Sequence, residues 1–182
     1  RYYVALCGRR QGLVKDDEIV KLELMMKQTG VTPDDRKVVQ FALSKEQDTG
    51  APAAAMELPD GTVITGKTSN LLGASSALLL NALKYLGGID DEVLLMSPQV
   101  IEPIQNLKVG HLGSINPRLH TDETLLALSI CATTSDTAKL AMDQIAGLRG
   151  CEVHSTVILS PVDERIFKRL GINVTCEPKY QK

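Results

Sequence analysis

The sequence predicts an α/β protein, with a three-layer α/β/α arrangement around a mixed sheet and a helical hairpin before it. Three observations carry this prediction. Helical periodicity gives way to alternating strand and helix patterns near Gly50. A hairpin signal follows, with Pro59-Asp60-Gly61 between two strand-like runs. Finally, residues 153–176 have the spacing of a strand, a helix and a second strand that runs parallel to the first.

Composition narrows the classes of function. The 182 residues are 43% hydrophobic and 23% charged, which is typical of a globular protein with a real core. A net charge of −2 and 3% aromatics give neither the basic surface nor the stacking side chains that nucleic-acid binding needs. Apolar runs are far shorter than the roughly 20 residues that span a bilayer. We expect a cytoplasmic protein that binds neither nucleic acid nor membranes.

The four cysteines are widely spaced and form no C-x-x-C pair, so we expect reduced thiols and no structural zinc site. The sequence identifies no cofactor.

Residues 1–49 are predicted to be a helical segment that belongs to a larger protein. An apolar helical pattern covers Asp16–Lys27 and ends at Gly30, and Thr32-Pro33-Asp34-Asp35 starts a second helix. The chain begins at Arg1 without Met, so we interpret it as a piece of a longer protein. We expect the hairpin, peripheral to the sheet, to contact the missing N-terminal region.

Residues 50–182 are predicted to form the α/β/α domain. Turn residues, helix caps and apolar patterns predict its elements in order. These are strands at 54–58 and 62–66, a helix at 73–86, a buried strand at 92–96, helices starting at Ser97, Thr121 and Ser135, a strand at 153–159, a helix ending near Leu170 and a strand at 172–176. Pro103 is expected to kink or end the helix that starts at Ser97.

One motif needs its own interpretation. The run Gly61-Thr-Val-Ile-Thr-Gly66-Lys67-Thr68 satisfies G-x-x-x-x-G-K-[ST], the pattern of phosphate loops. Its four inner residues are β-branched and follow a hairpin turn, so they predict a strand. We therefore interpret the match as accidental.

The order of hairpin, small-residue helix start, buried strand and Ser-Pro helix start resembles the cytidine-deaminase-like fold. Zinc deaminases carry His or Cys followed by Ala-Glu on the first helix, and P-C-x-x-C on the second. The matching stretches here are Gly73-Ala74-Ser75-Ser76 and Pro98-Gln99-Val100-Ile101, which lack those ligands. The resemblance therefore implies no deaminase chemistry. It implies two helix N-termini that converge on one spot.

A more specific resemblance covers most of the chain. The strings Leu58–Gly66, Ser97–Lys108 and Gly150–Ser160 resemble the C-terminal part of a bacterial family catalogued as domain of unknown function 1846. Members of that family are much longer and have an N-terminal α/β part with a phosphate-loop-like segment. The resemblance implies a C-terminal domain and brings no activity with it.

The candidate ligand residues lie at the two helix starts and in one strand. Helix N-termini attract anions, because their N–H groups lack partners and the helix dipole is positive there. His154 can exchange a proton near neutral pH. Each residue also has a purely structural explanation, as a helix cap or a buried polar group. The candidates are Lys67, Thr68, Ser75, Ser76, Ser97 and His154.

Arg118 and His120 precede the Thr121 helix start. They can grip a carboxylate or phosphate, although their loop-like context does not require a function.

Three functions remain open. The chain contributes part of an anion or phosphate site, or an assembly surface, to a larger protein; it is an enzyme for a small anionic metabolite; or it is a structural or oligomerisation module. A cluster of Lys67, Ser75, Ser97 and His154 would favour the enzyme. Dispersal of these residues, with an exposed apolar face, would favour the structural module and leave a homo-oligomer open.

Overall fold

The computed structural model describes residues 1–181. These residues form eight α-helices and a four-stranded mixed sheet, with 3₁₀ turns at Pro33–Asp35 and Ile145–Leu148. The helices are α1 (Tyr2–Arg10), α2 (Asp16–Thr29), α3 (Lys37–Thr49), α4 (Ala74–Leu86), α5 (Pro98–Gly110), α6 (Thr121–Cys131), α7 (Asp136–Asp143) and α8 (Pro161–Arg169). The strands are β1 (Ala53–Glu57), β2 (Val63–Lys67), β3 (Glu152–Ser155) and β4 (Asn173–Cys176). None of the helices in residues 1–181 is long and apolar enough to cross a membrane.

The sheet has the order β2-β1-β3-β4. The central strand β1 runs antiparallel to both neighbours, and Ala54 lies opposite Gly66 on one side and Ser155 on the other. Strands β3 and β4 are parallel and are connected through α8. The predicted hairpin and the predicted strand–helix–strand unit are therefore confirmed.

Small side chains on β1 allow helices to pack on both faces of the sheet. Ala54 and Met56 join the main core, which includes the leucines of α4. Ala55 points to the other face, where it contacts Val38 and Ala42 of α3. Because Val38 and Ala42 are fully buried there, α3 is a layer of the fold, and our expectation that residues 1–45 are peripheral was wrong for α3.

The predicted helical hairpin is not confirmed. Helix α2 packs against α1, which the sequence analysis missed, while α3 packs against the sheet. The division of the chain at residue 49 stays a prediction.

The predicted strand at 92–96 is wrong. These residues form turns, stabilised by a hydrogen bond from the Glu92 N–H to Asp90 Oδ1 of 2.8 Å. Leu95 and Met96 are still buried in the core, but the place beside β1 is taken by β3. The apolar run thus predicted the burial of Leu95 and Met96 but not a strand, and Leu94 within it is exposed. Helix α5 also continues through Pro103, which does not end it.

The phosphate-loop-like motif contains strand β2, as predicted. Its second glycine, Gly66, has a packing role, because α4 crosses β2 there at very short range. A Cβ atom added to Gly66 would lie 2.3 Å from the Leu78 backbone nitrogen and 2.9 Å from the Ala74 carbonyl oxygen. Glycine is thus required by the contact between α4 and β2.

On the face opposite α4, a buried histidine joins β3 to α1 and β4. His154 is fully buried, with Nδ1 2.9 Å from Thr175 Oγ1 and Nε2 3.1 Å from Glu177 Oε1. Its ring lies against the Tyr3 ring, with 4.7 Å between centroids. Burial and the nearby Arg36 charge lower the pKa of His154 to about 4, so the ring is neutral at pH 7.

We expect Gly66→Ala to lower the free energy of unfolding by about 1–3 kcal/mol, because the new methyl group meets backbone atoms that cannot move independently. Urea unfolding measures this. The control is Gly110→Ala, since a Cβ there meets nothing within 4 Å. Equal stabilities for the two variants would contradict the close packing of α4 on β2.

Acid should destabilise the fold through His154. Its pKa is lowered on folding, so the stabilisation from a neutral ring is present above about pH 6.5 and is lost as the pH falls through about 4. Proton NMR of the His154 ring should show a midpoint near pH 4. A midpoint near 6.5 would show that the ring is not buried as described.

Candidate functional site

Three helix starts meet at the carboxyl end of β3, where they enclose a cleft of about 340 Å³. Hydrogen bonds hold these starts together. The Gly73 N–H and Ser76 Oγ, at the start of α4, both donate to the Leu119 carbonyl, at 3.3 and 2.9 Å. The Thr121 N–H, at the start of α6, donates to Asp163 Oδ1 of α8 at 2.9 Å. The three N-termini are thus fixed relative to one another.

Asp163 is the link between α6 and α8. Its residue is 8% exposed, and its second oxygen, Oδ2, accepts from Ser160 Oγ at 2.8 Å and lies 3.2 Å from His120 Nδ1. Ser160 is the cap of α8 and also accepts from the Asp163 N–H. The carboxylate therefore occupies the positive end of α6 as an internal anion.

These hydrogen bonds also influence the protonation states of Asp163 and His120. Burial alone would raise the pKa of Asp163, but hydrogen bonds from His120, Thr121 and Ser160 outweigh it and hold the pKa below its ordinary value. The hydrogen bond to Asp163 raises the pKa of His120, against the opposing effect of burial. The pair therefore favours a charged carboxylate beside a readily protonated ring.

Two hydroxyl groups on the wall of the cleft have no hydrogen-bond partner among residues 1–181. They belong to Ser75, on the first turn of α4, and Thr68, just after β2, which are 4% and 8% exposed. A ligand or water in the cleft would satisfy both groups.

The loop before α6 carries the remaining charge of the cleft. Arg118 lines it and donates from Nε to the Ser69 carbonyl at 2.7 Å. Lys108 of α5 donates to the Arg118 carbonyl and to Glu123 Oε2, both at 2.7 Å. Glu123 in turn accepts from the His120 N–H at 2.9 Å. This network holds the loop, and with it the His120 ring, in place.

The structure separates the residues that the sequence analysis proposed as ligands. Thr68 and Ser75 line the cleft, and Ser76 lies beside it with its hydroxyl bonded to Leu119. Lys67 lines a different depression, near Asn81 and Tyr85. Ser97 starts α5 and lines no part of the cleft. His154 lies on the opposite face of the sheet.

The sequence analysis missed the pairing of His120 with Asp163. It noted His120 as a loop residue and did not single out Asp163. The usable signal was the Ser160-Pro161 helix start, which directly follows the β3 region and so places α8 at the sheet edge. Ser97-Pro98 has the same pattern but follows no strand.

Among residues 1–181, no three His, Cys, Asp or Glu side chains are grouped so that they could hold a metal ion.

Comparison with known proteins shows which family the chain matches. The family model described as "Domain of unknown function DUF1846, C-terminal" matches residues 34–182. The chain is 55% identical over 182 residues to a UPF0371 protein of Corynebacterium glutamicum (strain R). It is 48% identical over 181 residues to a UPF0371 protein of Streptococcus pyogenes serotype M5. Both matches cover 100% of this chain.

The chain spans 37% of the length of each of these relatives. The family model begins just before α3, so it includes the layer that α3 forms on the sheet. The cleft also lies within the matched range. With 149 of its 182 residues (34 to 182) matched, the chain belongs to the DUF1846 family, in its C-terminal part.

Proposed function

We propose that this chain is the part of a longer protein that binds a small oxyanion, such as a phosphate group, in the cleft between α4, α6 and α8. The observation that carries the proposal is the pair of hydroxyls of Ser75 and Thr68 at the meeting point of three helix N-termini. Both residues are largely buried and line the cleft, and neither hydroxyl has a hydrogen-bond partner among residues 1–181. An oxyanion accepts hydrogen bonds from both hydroxyls and from free backbone N–H groups.

The electrostatics of the cleft support an anion. Each helix N-terminus favours a nearby negative charge by about 0.3–1 kcal/mol, and by more in a partly buried site. Asp163 neutralises part of this potential at α6, but its charge is shared among three hydrogen-bond donors. Helix α4 has no such internal anion: its N-cap, Gly73, offers no side-chain acceptor. The start of α4 is therefore the centre of the proposed site.

The deaminase-like geometry enters this proposal in a modified form. We infer that the two converging helices are α4 and α8, since α4 follows β2 and α8 follows β3. Helix α5, which the sequence analysis placed in this role, does not follow a strand. The inference concerns geometry alone, because neither helix start carries the zinc ligands of deaminases.

The enzyme hypothesis in its original form loses its support. It required Lys67, Ser75, Ser97 and His154 around one pocket, and these residues are dispersed. The dispersal of these residues instead favours an assembly role, which is also supported by an apolar groove on the surface.

A groove between α1, α2 and the 3₁₀ turn at Pro33–Asp35 favours an assembly surface as a second function. Its volume is about 360 Å³, and its lining is largely apolar, with Leu22, Met25, Met26 and Val31. We propose that this groove is covered by the part of the longer protein that this chain does not span. The relatives, of which this chain is 37%, provide the remaining chain to do so.

The anion site is tested by titrating inorganic phosphate into the protein and following amide shifts. We expect the Gly73–Ser76 amides to respond, and Ser75→Ala to weaken binding by about tenfold, because it removes a hydrogen bond to a charged group. Ser97→Ala is the matched control, a helix-start serine outside the cleft. Equal affinities for the two variants, or a response confined to another region, would overturn the proposal.

The assembly surface is tested by hydrogen exchange on α2. If the groove is covered in the longer protein, the α2 amides should exchange at least tenfold more slowly there than in this chain alone. Helix α7, which lines no part of the groove, serves as the internal control. Equal exchange of α2 in both proteins would rule out this assembly role.

A further inference from the structure

The His120 ring has one nitrogen held by the protein and one that the described residues leave without a partner. Nδ1 lies 3.2 Å from Asp163 Oδ2, and a carboxylate there accepts the Nδ1 hydrogen. No residue in 1–181 forms a hydrogen bond with Nε2, while the ring lines the cleft with 29% of its side chain exposed. Nε2 is therefore the atom that His120 offers to a ligand.

Ser160 does not complete a nucleophilic triad with this pair. In such a triad the serine hydroxyl bonds to the nitrogen opposite the carboxylate. Here Ser160 Oγ donates to Asp163 and lies 3.4 Å from Nδ1, on the same side of the ring as the carboxylate. Its place as the cap of α8 accounts for both contacts. A reacting group would have to come from the ligand.

Some of the charges around His120 favour a protonated ring and others oppose it, so a bound anion can shift its protonation. Asp163 faces it from α8, Glu123 lies one turn along α6, and Lys108 approaches from α5. Arg118 and Tyr180 line the same cleft. Within residues 1–181, the polar residues of α4 and β3 that line the cleft are the uncharged Ser75 and Ser155. Two carboxylates thus stand against two cations nearby.

We propose that His120 is the acid–base residue of the cleft, that it binds a dianionic oxyanion through Nε2–H as an imidazolium, and that Asp163 is its positioning residue. This inference rests on the anion site proposed above. The ligand class is that of a phosphomonoester, whose dianion matches one imidazolium and the helix N-termini.

The proton balance of the step is simple. Where His120 is neutral before binding, the ring takes one proton from solvent onto Nε2 as the dianion binds. That proton then lies between Nε2 and a ligand oxygen. When the ligand dissociates, the proton returns to solvent and the ring is neutral again, so His120 is the acid–base residue of the binding step. The raised pKa of His120 agrees with this role, since it favours the protonated ring.

Sulfate is the probe for the test, because it stays dianionic from pH 5 to 9 and only the protein titrates. At pH values above the pKa of His120, the affinity of the wild-type protein for sulfate should decrease, and the decrease should approach tenfold per pH unit. Proton NMR of the ring should show that the pKa of His120 rises when sulfate binds.

His120→Asn keeps a helix-cap side chain and removes the titrating ring, so its sulfate affinity should not change with pH. His111→Asn, on an exposed histidine outside the cleft, should keep the wild-type profile.

Asp163→Asn tests the positioning role, because it should lower the pKa of His120 and move the sulfate profile to lower pH. A purely structural role for Asp163 would leave that profile where it is. Sulfate binding that shifts the Ser75 amide without pH dependence would overturn the inference and leave the anion site standing. Absence of sulfate binding at every pH would overturn both.

Discussion

The arrangement of this protein around its cleft depends on one buried carboxylate. Asp163 joins the start of α6 to the start of α8, two helices whose bonded residues are 42 positions apart in the chain. It accepts from a backbone N–H, a serine hydroxyl and a histidine ring. Removing it would leave these donors without their acceptor. The carboxylate therefore fixes where two of the three helix N-termini lie and how the His120 ring is turned.

The third helix, α4, is placed by packing. Gly66 lets the α4 backbone come into contact with β2, and Ala54 of β1 adds a small side chain to the core on the same face. The Leu119 carbonyl then accepts from both Gly73 and Ser76, which sets the start of α4 beside the start of α6. Close packing and a few buried hydrogen bonds thus bring three positive helix ends to one place. The unpartnered hydroxyls of Ser75 and Thr68 lie at that place.

Local signals made much of the fold predictable. The Pro59-Asp60-Gly61 turn marked the β1–β2 hairpin, and the Ser160 cap with Gly171 marked α8 between two strands. The wrong strand at 92–96 shows the limit of such signals, since a short apolar run records burial and not pairing. Whether it becomes a strand depends on which segment pairs with β1, and β3 does so from about 100 positions away, with Met56 opposite Val153.

The candidate site was less predictable, because its residues are adjacent only in space. Ser75 and Thr68 were found from the helix start they surround. His120 and Asp163 are 43 positions apart, and each has an ordinary local role as a helix cap or first-turn acid. Ser97-Pro98 and Ser160-Pro161 have the same Ser-Pro pattern of a helix start. The folded structure, with its sheet order, distinguishes them, because α8 reaches the cleft. Whether a helix-cap residue belongs to a site depends on the residues that lie opposite it in the folded protein, and a single sequence does not show these.

The most direct test of the account is a crystal structure of this protein grown with tungstate, an oxyanion whose position is given by anomalous scattering. We expect an anomalous peak in the cleft, within hydrogen-bond distance of Ser75 Oγ and His120 Nε2. A fully occupied tungstate elsewhere on the protein, with only water between α4, α6 and α8, would contradict it.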